Sequence, residues 1–169
     1  MNILITGRPG IGKTTLIHAL IEGCHTATGF YTREIRERGR RTGFAIQTLH
    51  GPTGILAHSD IKSPFRVSKY GVNLPDIERI CVPSMDLSGD PIVIDEIGKM
   101  ELFSAAFRER VIEALETQKV LATIMERPHP FTDAIKQRGD SMVHVVTEEN
   151  RRNLVHELKS FLPGKGTRD

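Results

Sequence analysis

Residues 5–20 read "ITGRPGIGKTTLIHAL", and this stretch decides the fold. An apolar run over 1–5 enters three glycines, Gly7, Gly10 and Gly12, followed by Lys13, Thr14 and Thr15; Leu16, Ile17 and Leu20 then recur at helical spacing. A strand, a flexible turn and a helix follow one another directly. The span Gly7-Arg8-Pro9-Gly10-Ile11-Gly12-Lys13-Thr14 fits G-x-x-x-x-G-K-[ST], the phosphate-binding loop. Its glycines let successive backbone N–H groups converge on one point, and the helix N-terminus behind them adds partial positive charge. The turn is therefore an anion site. The candidate nucleotide-binding residues are Gly7, Arg8, Pro9, Gly10, Ile11, Gly12, Lys13, Thr14 and Thr15. Lys13 would reach the β and γ phosphates, and the Thr14 hydroxyl would ligate Mg2+ beside phosphate oxygens.

A phosphate cradle serves kinases, switches, motors and hydrolases alike, and a second motif narrows the choice. In "PIVIDEIGKME", residues 91–101, Ile92, Val93 and Ile94 make a buried strand that ends in two acids. Asp95 could hold Mg2+ through water, and Glu96 could polarise a water in line with the γ phosphate. Acids after a strand also cap helices; beside a phosphate loop the catalytic reading takes precedence, with Glu96 and Lys13 as the catalytic candidates and Thr14 and Asp95 as the metal ligands. The string "DEIG" fits the D-x-x-G pattern of GTPase switches as well. The chain carries no Asn-Lys-x-Asp guanine reader, so weak selection among bases is expected.

The rest of the chain supplies the frame. At 169 residues, with 26% charged and 38% apolar residues, it reads as one globular domain over 1–169. A formal charge of +2 gives no cause to expect nucleic acid as the default partner. No stretch approaches the roughly 18 apolar residues of a membrane span, and the N-terminal run is shorter than a signal-peptide core. A cytoplasmic monomer is expected. Cys24 and Cys81 fall in no ligand pattern and read as small buried hydrophobes in a reducing compartment; the seven histidines show no metal spacing.

Apolar segments alternate with helical ones: a helix over 13–22, an amphipathic helix over 102–117 with Phe103, Phe107, Val111, Ala114 and Leu115 on one face, strands at 119–125 and 142–147, a helix over 132–138, and a last helix opening after Thr147 and running to 162 with Glu148 and Glu149 in its first turn. Residues 28–49 alternate like two strands around a Gly39 turn, and 51–59 add a third. Between 58 and 90 only a strand at 65–68 and a short helix at 76–80 suggest themselves. This pattern predicts an α/β fold: a mainly parallel sheet flanked by helices, with a small antiparallel hairpin extension and the ligand beyond the carboxyl ends of the strands.

Taken together, "ITGRPGIGKTTLIHAL", "GFYTREIRERGRRTGFAIQTL", "FRVSKYGVNL", "VIDEIGKMELFS" and "VTEENRRNL" resemble the small P-loop nucleoside-triphosphatases that include the cancer-related nucleoside-triphosphatase and its thermophile relatives. The resemblance implies a single-domain, RecA-like P-loop NTPase fold and slow, Mg2+-dependent hydrolysis of ATP, GTP, CTP and UTP to the diphosphate and phosphate. It also implies a second nucleotide segment over Ile94, Asp95, Glu96, Ile97, Gly98, Lys99, Met100 and Glu101. Arg8 stands where relatives often have a small residue or Pro.

Other residues have weaker claims. A cation at the transferring phosphoryl group would speed turnover; Arg127, Arg66, Lys69 and Lys99 are the candidates, each also readable as a solvated surface charge. Between 33 and 41 five Arg face two Glu, a stripe that could touch nucleic acid but that reads first as a solvated hairpin. Thr123 could sense the γ phosphate or fill the sheet. Thr147, Asn150 and Arg151 could lie beside the base or cap a helix, and His129 reads as loop structure. Two other functions stay open: a nucleotide or small-molecule kinase with an acceptor site within 30–90, and a nucleotide-gated RNA-binding switch.

Overall fold

The structure is a computed structural model and describes residues 1–163. Its elements in chain order are β1 (Asn2–Thr6), α1 (Lys13–Ile21), β2 (Thr28–Glu37), β3 (Arg40–Thr48), β4 (Thr53–His58), β5 (Arg66–Val67), β6 (Tyr70–Val72), α2 (Leu74–Asp76), α3 (Val82–Ser84), β7 (Ile92–Ile97), α4 (Ala105–Glu116), β8 (Val120–Ile124), α5 (Pro130–Lys136), β9 (Ser141–Val145) and α6 (Arg151–Lys159). All nine strands form one sheet in the order β5-β6-β4-β3-β2-β7-β8-β1-β9.

The pairs β2–β7, β7–β8, β8–β1 and β1–β9 are parallel. Their central strands are buried on both faces, and alternation decides which residue goes where. Leu4, Ile92, Ile94 and Ala122 meet Phe107, Val111 and Leu115 of α4 on one face. Ile3, Ile5, Val93 and Leu121 meet Leu16, Ile17 and Leu20 of α1 and Leu154 and Leu158 of α6 on the other. The expected helix-covered parallel sheet is present. Asn2, itself buried, ties the layers: its Nδ2 donates to the Leu115 carbonyl at 2.9 Å, and its Oδ1 accepts from the Val120 N–H at 3.1 Å.

The antiparallel part is larger than a hairpin. β2 is at once the outermost parallel strand and the first antiparallel one, and β3, β4, β6 and β5 continue the sheet from it. The β2–β3 turn places Arg38 and Gly39 at φ of 49° and 77°, the doubly positive geometry of a tight hairpin turn.

Several boundaries move. The strand expected at 65–68 is only Arg66–Val67, and the short helix expected at 76–80 lies inside a longer helical run, α2, a π-type turn over Ile77–Cys81, and α3. α4 begins at Ala105 because the Ser104 hydroxyl caps it, accepting from the Phe107 N–H at 3.1 Å. Phe103 thus belongs to the preceding 3-10 turn and packs on Phe65 rather than on the α4 face. α5 starts two residues early, at Pro130, because the His129 ring accepts from the Phe131 N–H. α6 starts late: Thr147 N–H donates to Asn150 Oδ1 at 2.8 Å and Asn150 N–H donates back to Thr147 Oγ1 at 3.2 Å, which holds Glu148 and Glu149 in a turn outside the helix. Cys81 is fully buried as expected, whereas Cys24 is half-buried near the Asp90 carbonyl; both are free. Among the described residues no helix is long and apolar enough to cross a membrane.

The junction of β2 with β7 tests the topology. Gly29 has φ 110°, and a Cβ there would sit 1.8 Å from the Val93 carbonyl oxygen across the pair. Gly29→Ala is expected to destabilise the fold by more than about 4 kcal/mol, because strain and clash fall in the middle of the sheet. Chemical denaturation checks this; a loss near 1 kcal/mol, the ordinary size for a point change, would refute the close approach.

Candidate active site

β1, β7 and β8 run parallel, so their carboxyl ends lie together, and Lys13, Thr14, Asp95 and Glu96 come to that edge. The loop after β1 turns through Gly7, Gly10 and Gly12 at φ of 148°, 78° and 111°, conformations an L side chain rarely adopts. At Gly7 space is also short: a Cβ would come 3.0 Å from the Val146 carbonyl oxygen. The Lys13 ammonium donates to the Gly7 carbonyl at 2.7 Å and the Arg8 carbonyl at 3.2 Å, so the loop itself places the charge at its mouth. Arg8 does not enter the loop. Its guanidinium pairs with Glu148 at 2.6 Å on the far side, where both side chains are exposed.

Asp95, 3% exposed, ends the buried part of β7. Thr14 Oγ1 donates to its Oδ2 at 2.8 Å, and Thr123 Oγ1 of β8 donates to its Oδ1 at 2.6 Å. Burial pushes the Asp95 carboxyl above the usual carboxylate range, against the pull of these two hydroxyls and of His18 and Lys13. Glu96 next to it is also raised by burial; Lys13 opposes the shift and Asp95 adds to it. The third acid of the segment, Glu101, is 4% exposed. Burial, then repulsion from Glu96, push its carboxyl up to about 8, although the Glu101 and Gly98 N–H groups hydrogen-bond to it. Glu96 and Glu101 converge on Gly98: a Cβ on that residue would lie 2.5 Å from Glu96 Oε1 and 3.0 Å from Glu101 Oε2. Any side chain there would require one of the two carboxylates to shift.

One cavity of about 570 Å3 joins these groups; the loop residues Pro9, Gly10, Gly12, Lys13, Thr14 and Thr15 line it together with Asp95, Glu96, Lys99, Met100 and Glu101. Of the second segment, Ile94 and Ile97 are instead buried in the core beneath it. Gly7, Arg8 and Ile11 face a second, smaller hollow with Thr147, Glu148 and Glu149. The oxygens of Thr14 and Asp95 are hard donors on the cavity side, which suits Mg2+. Among the described residues no group of three or more His, Cys, Asp or Glu side chains could hold a metal. A cation here would complete its shell with phosphate oxygens and water, as Mg2+ does in phosphate sites.

The weaker candidates separate. Lys99 lines the cavity; Arg66, Lys69 and Arg127 do not. Arg66 instead donates to the Ile61 and Lys69 carbonyls, and Lys69 lies over the Tyr70 ring at 5.5 Å. Thr123 is fully buried and acts on Asp95. Thr147 and Asn150 bond to each other, and Arg151 reaches the Ile11 carbonyl at 3.4 Å. Sequence reasoning covered Glu34, Arg41, Phe44, Leu56 and Val67 only as part of a charged hairpin or of a broad acceptor region over 30–90; the structure makes them the cavity's other wall. The alternation of the strands shows that two faces exist and not what one of them meets.

The fold and its phosphate loop define a P-loop NTPase domain. A family model described as NTPase matches residues 2–159. The chain is 51% identical to "Nucleoside-triphosphatase THEP1" of Thermotoga sp. (strain RQ2), over 96% of this chain and 95% of that one, and 39% identical to the human "Cancer-related nucleoside-triphosphatase", over 93% and 94%. The crystal structure of THEP1 from the hyperthermophile Aquifex aeolicus superposes with a TM-score of 0.87 at 36% identity, covering 97% of this chain and all of that one. This chain belongs to that NTPase family.

Glu101 gives the site a measurable signature in the protein free of nucleotide and metal. Its folded pKa of about 8 exceeds the ordinary 4.5, so the folded state keeps a proton that the unfolded chain has lost. The stability it contributes is complete below pH 4.5 and is lost as pH rises through about 8. Glu101→Gln cannot ionise and is expected to flatten the fall in Tm across that window; parallel Tm–pH curves for variant and wild type would refute the assignment.

Proposed function

We propose that this chain hydrolyses nucleoside triphosphates at the γ phosphate, releasing the diphosphate and inorganic phosphate. It is an enzyme of the hydrolase class, as its curated relatives, named nucleoside-triphosphatases, are. The observation that carries the detailed reading is the fixed Asp95 with Glu96 beside it, in the same cavity as Lys13 and the loop.

The loop amides, Lys13 and the start of α1 bind the β and γ phosphates and hold them in one orientation. Thr14 and Asp95 would hold Mg2+, which when bound would neutralise charge on those oxygens. Thr123 holds Asp95 in register, so the carboxylate cannot rotate away from Thr14. Glu96 orients the attacking water and takes its proton. Its raised affinity for protons, due first to burial, suits a base working near neutral pH. Lys13 stabilises the charge on the leaving β phosphate and the transferred group.

ATP, GTP, CTP and UTP are the proposed substrates, with little selection among bases and slow turnover. Support comes from the lack of an Asn-Lys-x-Asp string and from the placement of Arg66, Lys69 and Arg127 off the cavity wall, which leaves Lys99 as the remaining in-chain cation among those four. A cytoplasmic monomer is the proposed setting, in keeping with two free cysteines.

Two variants divide the roles. Lys13→Ala is expected to weaken both nucleotide binding and turnover. Glu96→Gln should bind Mg2+–ATP as well as wild type and lose about 10² or more in kcat, the range for a general base. Phosphate release and fluorescent-nucleotide titration measure the two quantities. Equal kcat in Glu96→Gln and wild type would remove Glu96 from the reaction.

A further inference from the structure

Hydrolysis requires space beyond the γ phosphate for one water, whose share of liquid volume is about 30 Å3. The cavity measures about 570 Å3 and falls in the roughly 300–1,000 Å3 class of small-molecule sites. Its loop side accounts for the polyphosphate. Facing that side is a wall made by Glu34, Arg41, Phe44, Leu56, Val67 and Met100, and five of these six come from the antiparallel extension. Asp95 and Glu96 stand between the two halves. A ligand on the extension side therefore sits past the γ end of the triphosphate, where the attacking group must come from, while the triphosphate's own base lies at the opposite end of its chain.

The chemistry of this wall is specific. Phe44, Leu56, Val67 and Met100 give an apolar surface, and Phe44 packs edge-on against Tyr70 at 5.3 Å. Above it the Arg41 guanidinium lies 5.1 Å from the Phe44 ring centre and 5.6 Å from that of Tyr70. Arg41 Nε donates to Tyr70 Oη at 2.9 Å and Nη1 to Glu34 at 3.3 Å. Two aromatic rings and a hydroxyl thus hold a guanidinium and a carboxylate side by side. Donors next to acceptors over an apolar floor complement a flat heterocycle, which offers a face to bury and an edge carrying both C=O and N–H groups.

We propose that this half of the cavity binds a nucleoside, its base on Phe44 and Leu56 with its edge on Arg41 and Glu34 and a sugar hydroxyl toward Glu96, and that this hydroxyl accepts the γ-phosphoryl group in place of water. The inference rests on the reading of Glu96 as the base. In the step, the hydroxyl proton passes to the Glu96 carboxylate. A bond forms between the hydroxyl oxygen and the γ phosphorus as the bond from that phosphorus to the β–γ bridging oxygen breaks. The bridging electrons leave on the diphosphate, the products are a nucleoside phosphate and a nucleoside diphosphate, and Glu96 returns its proton to solvent. With no acceptor bound, water occupies the same place and hydrolysis results.

The test incubates the full chain with Mg2+ and γ-labelled ATP, alone and with adenosine, guanosine, cytidine, uridine or thymidine, and follows both labelled nucleoside phosphate and free phosphate. At least one nucleoside is expected to take label at ten times the rate of acceptor-free phosphate release or faster. Val67→Trp, on a short half-buried strand, should fill the compartment and cut transfer by more than tenfold with acceptor-free release within twofold of wild type. Arg41→Met, which keeps contact with the rings, should raise the KM for the nucleoside by tenfold or more and leave the KM for ATP unchanged. Phosphate release without label on any of the five nucleosides would overturn the acceptor site and leave the hydrolase standing. An equal rise of the KM for ATP in Arg41→Met would overturn it too, by giving the wall to the triphosphate's own base. Absence of both release and transfer would bring down the hydrolytic reading and this inference with it.

Discussion

The structure depends on how one buried carboxylate is held. Asp95 sits at the end of β7 almost without solvent, where an unpaired charge would be costly, and it persists because hydroxyls from two other elements donate to it. Thr14 comes from the start of α1 and Thr123 from β8, so the contact joins the ends of three neighbouring segments of the parallel sheet. Each partner is small and locked by its own element: Thr123 by a strand buried on both faces, Thr14 by the first turn of a helix whose apolar side is in the core. The phosphate loop is positioned relative to the acids by this pair of hydrogen bonds and by the sheet beneath it.

Burial around Asp95 also sets the electrostatics of its neighbours. Glu96 and Glu101 share the low-dielectric edge and converge where Gly98 leaves space; burial is the first cause that raises all three carboxyls, Asp95 adds to the rise at Glu96, Glu96 and Asp95 add to it at Glu101, and Lys13 pulls against Asp95 and Glu96. Such crowding costs stability, and a metal ion and a polyphosphate with its counter-charges would relieve part of it. Proteins keep strained groups of this kind where the ligand completes them.

The antiparallel extension changes the character of the site. A bare P-loop domain would leave the γ phosphate facing solvent across β7. Because β2 pairs with β7 on one side and with β3 on the other, the sheet continues past the acids, and its β3–β4–β5 portion forms the opposite wall. Arg41, Phe44 and Tyr70 support one another there, with the Arg41 guanidinium held over the two rings while still exposed. The five-arginine stripe thus divides: Arg33 and Arg41 line the cavity, and Arg36 pairs with Glu34.

The amino-acid sequence by itself determined the strand–loop–helix of residues 2–21, the buried strand that ends in two acids, and the helix-covered parallel core, because these rest on local rules: backbone freedom at glycine, alternation, and periodic apolar faces. It also named Lys13, Thr14, Asp95 and Glu96 as one constellation before their distances were available. The sequence places the start of α6 directly after Thr147, whereas the Thr147–Asn150 exchange of hydrogen bonds holds a turn there and the helix begins at Arg151. The span of the sheet was underestimated for another reason: β5 and β6 are two and three residues long and carry little pattern of their own. Only the tertiary structure decided that Thr123 holds Asp95, that Arg8 turns away to Glu148, that Glu101 is buried against Glu96, and that the hairpin forms a cavity wall. The Thr123–Asp95 and Arg8–Glu148 contacts join residues 28 and 140 positions apart, selected by which strands lie side by side, and the Glu96–Glu101 approach, though local in sequence, depends on how the turn after β7 folds back into the buried edge.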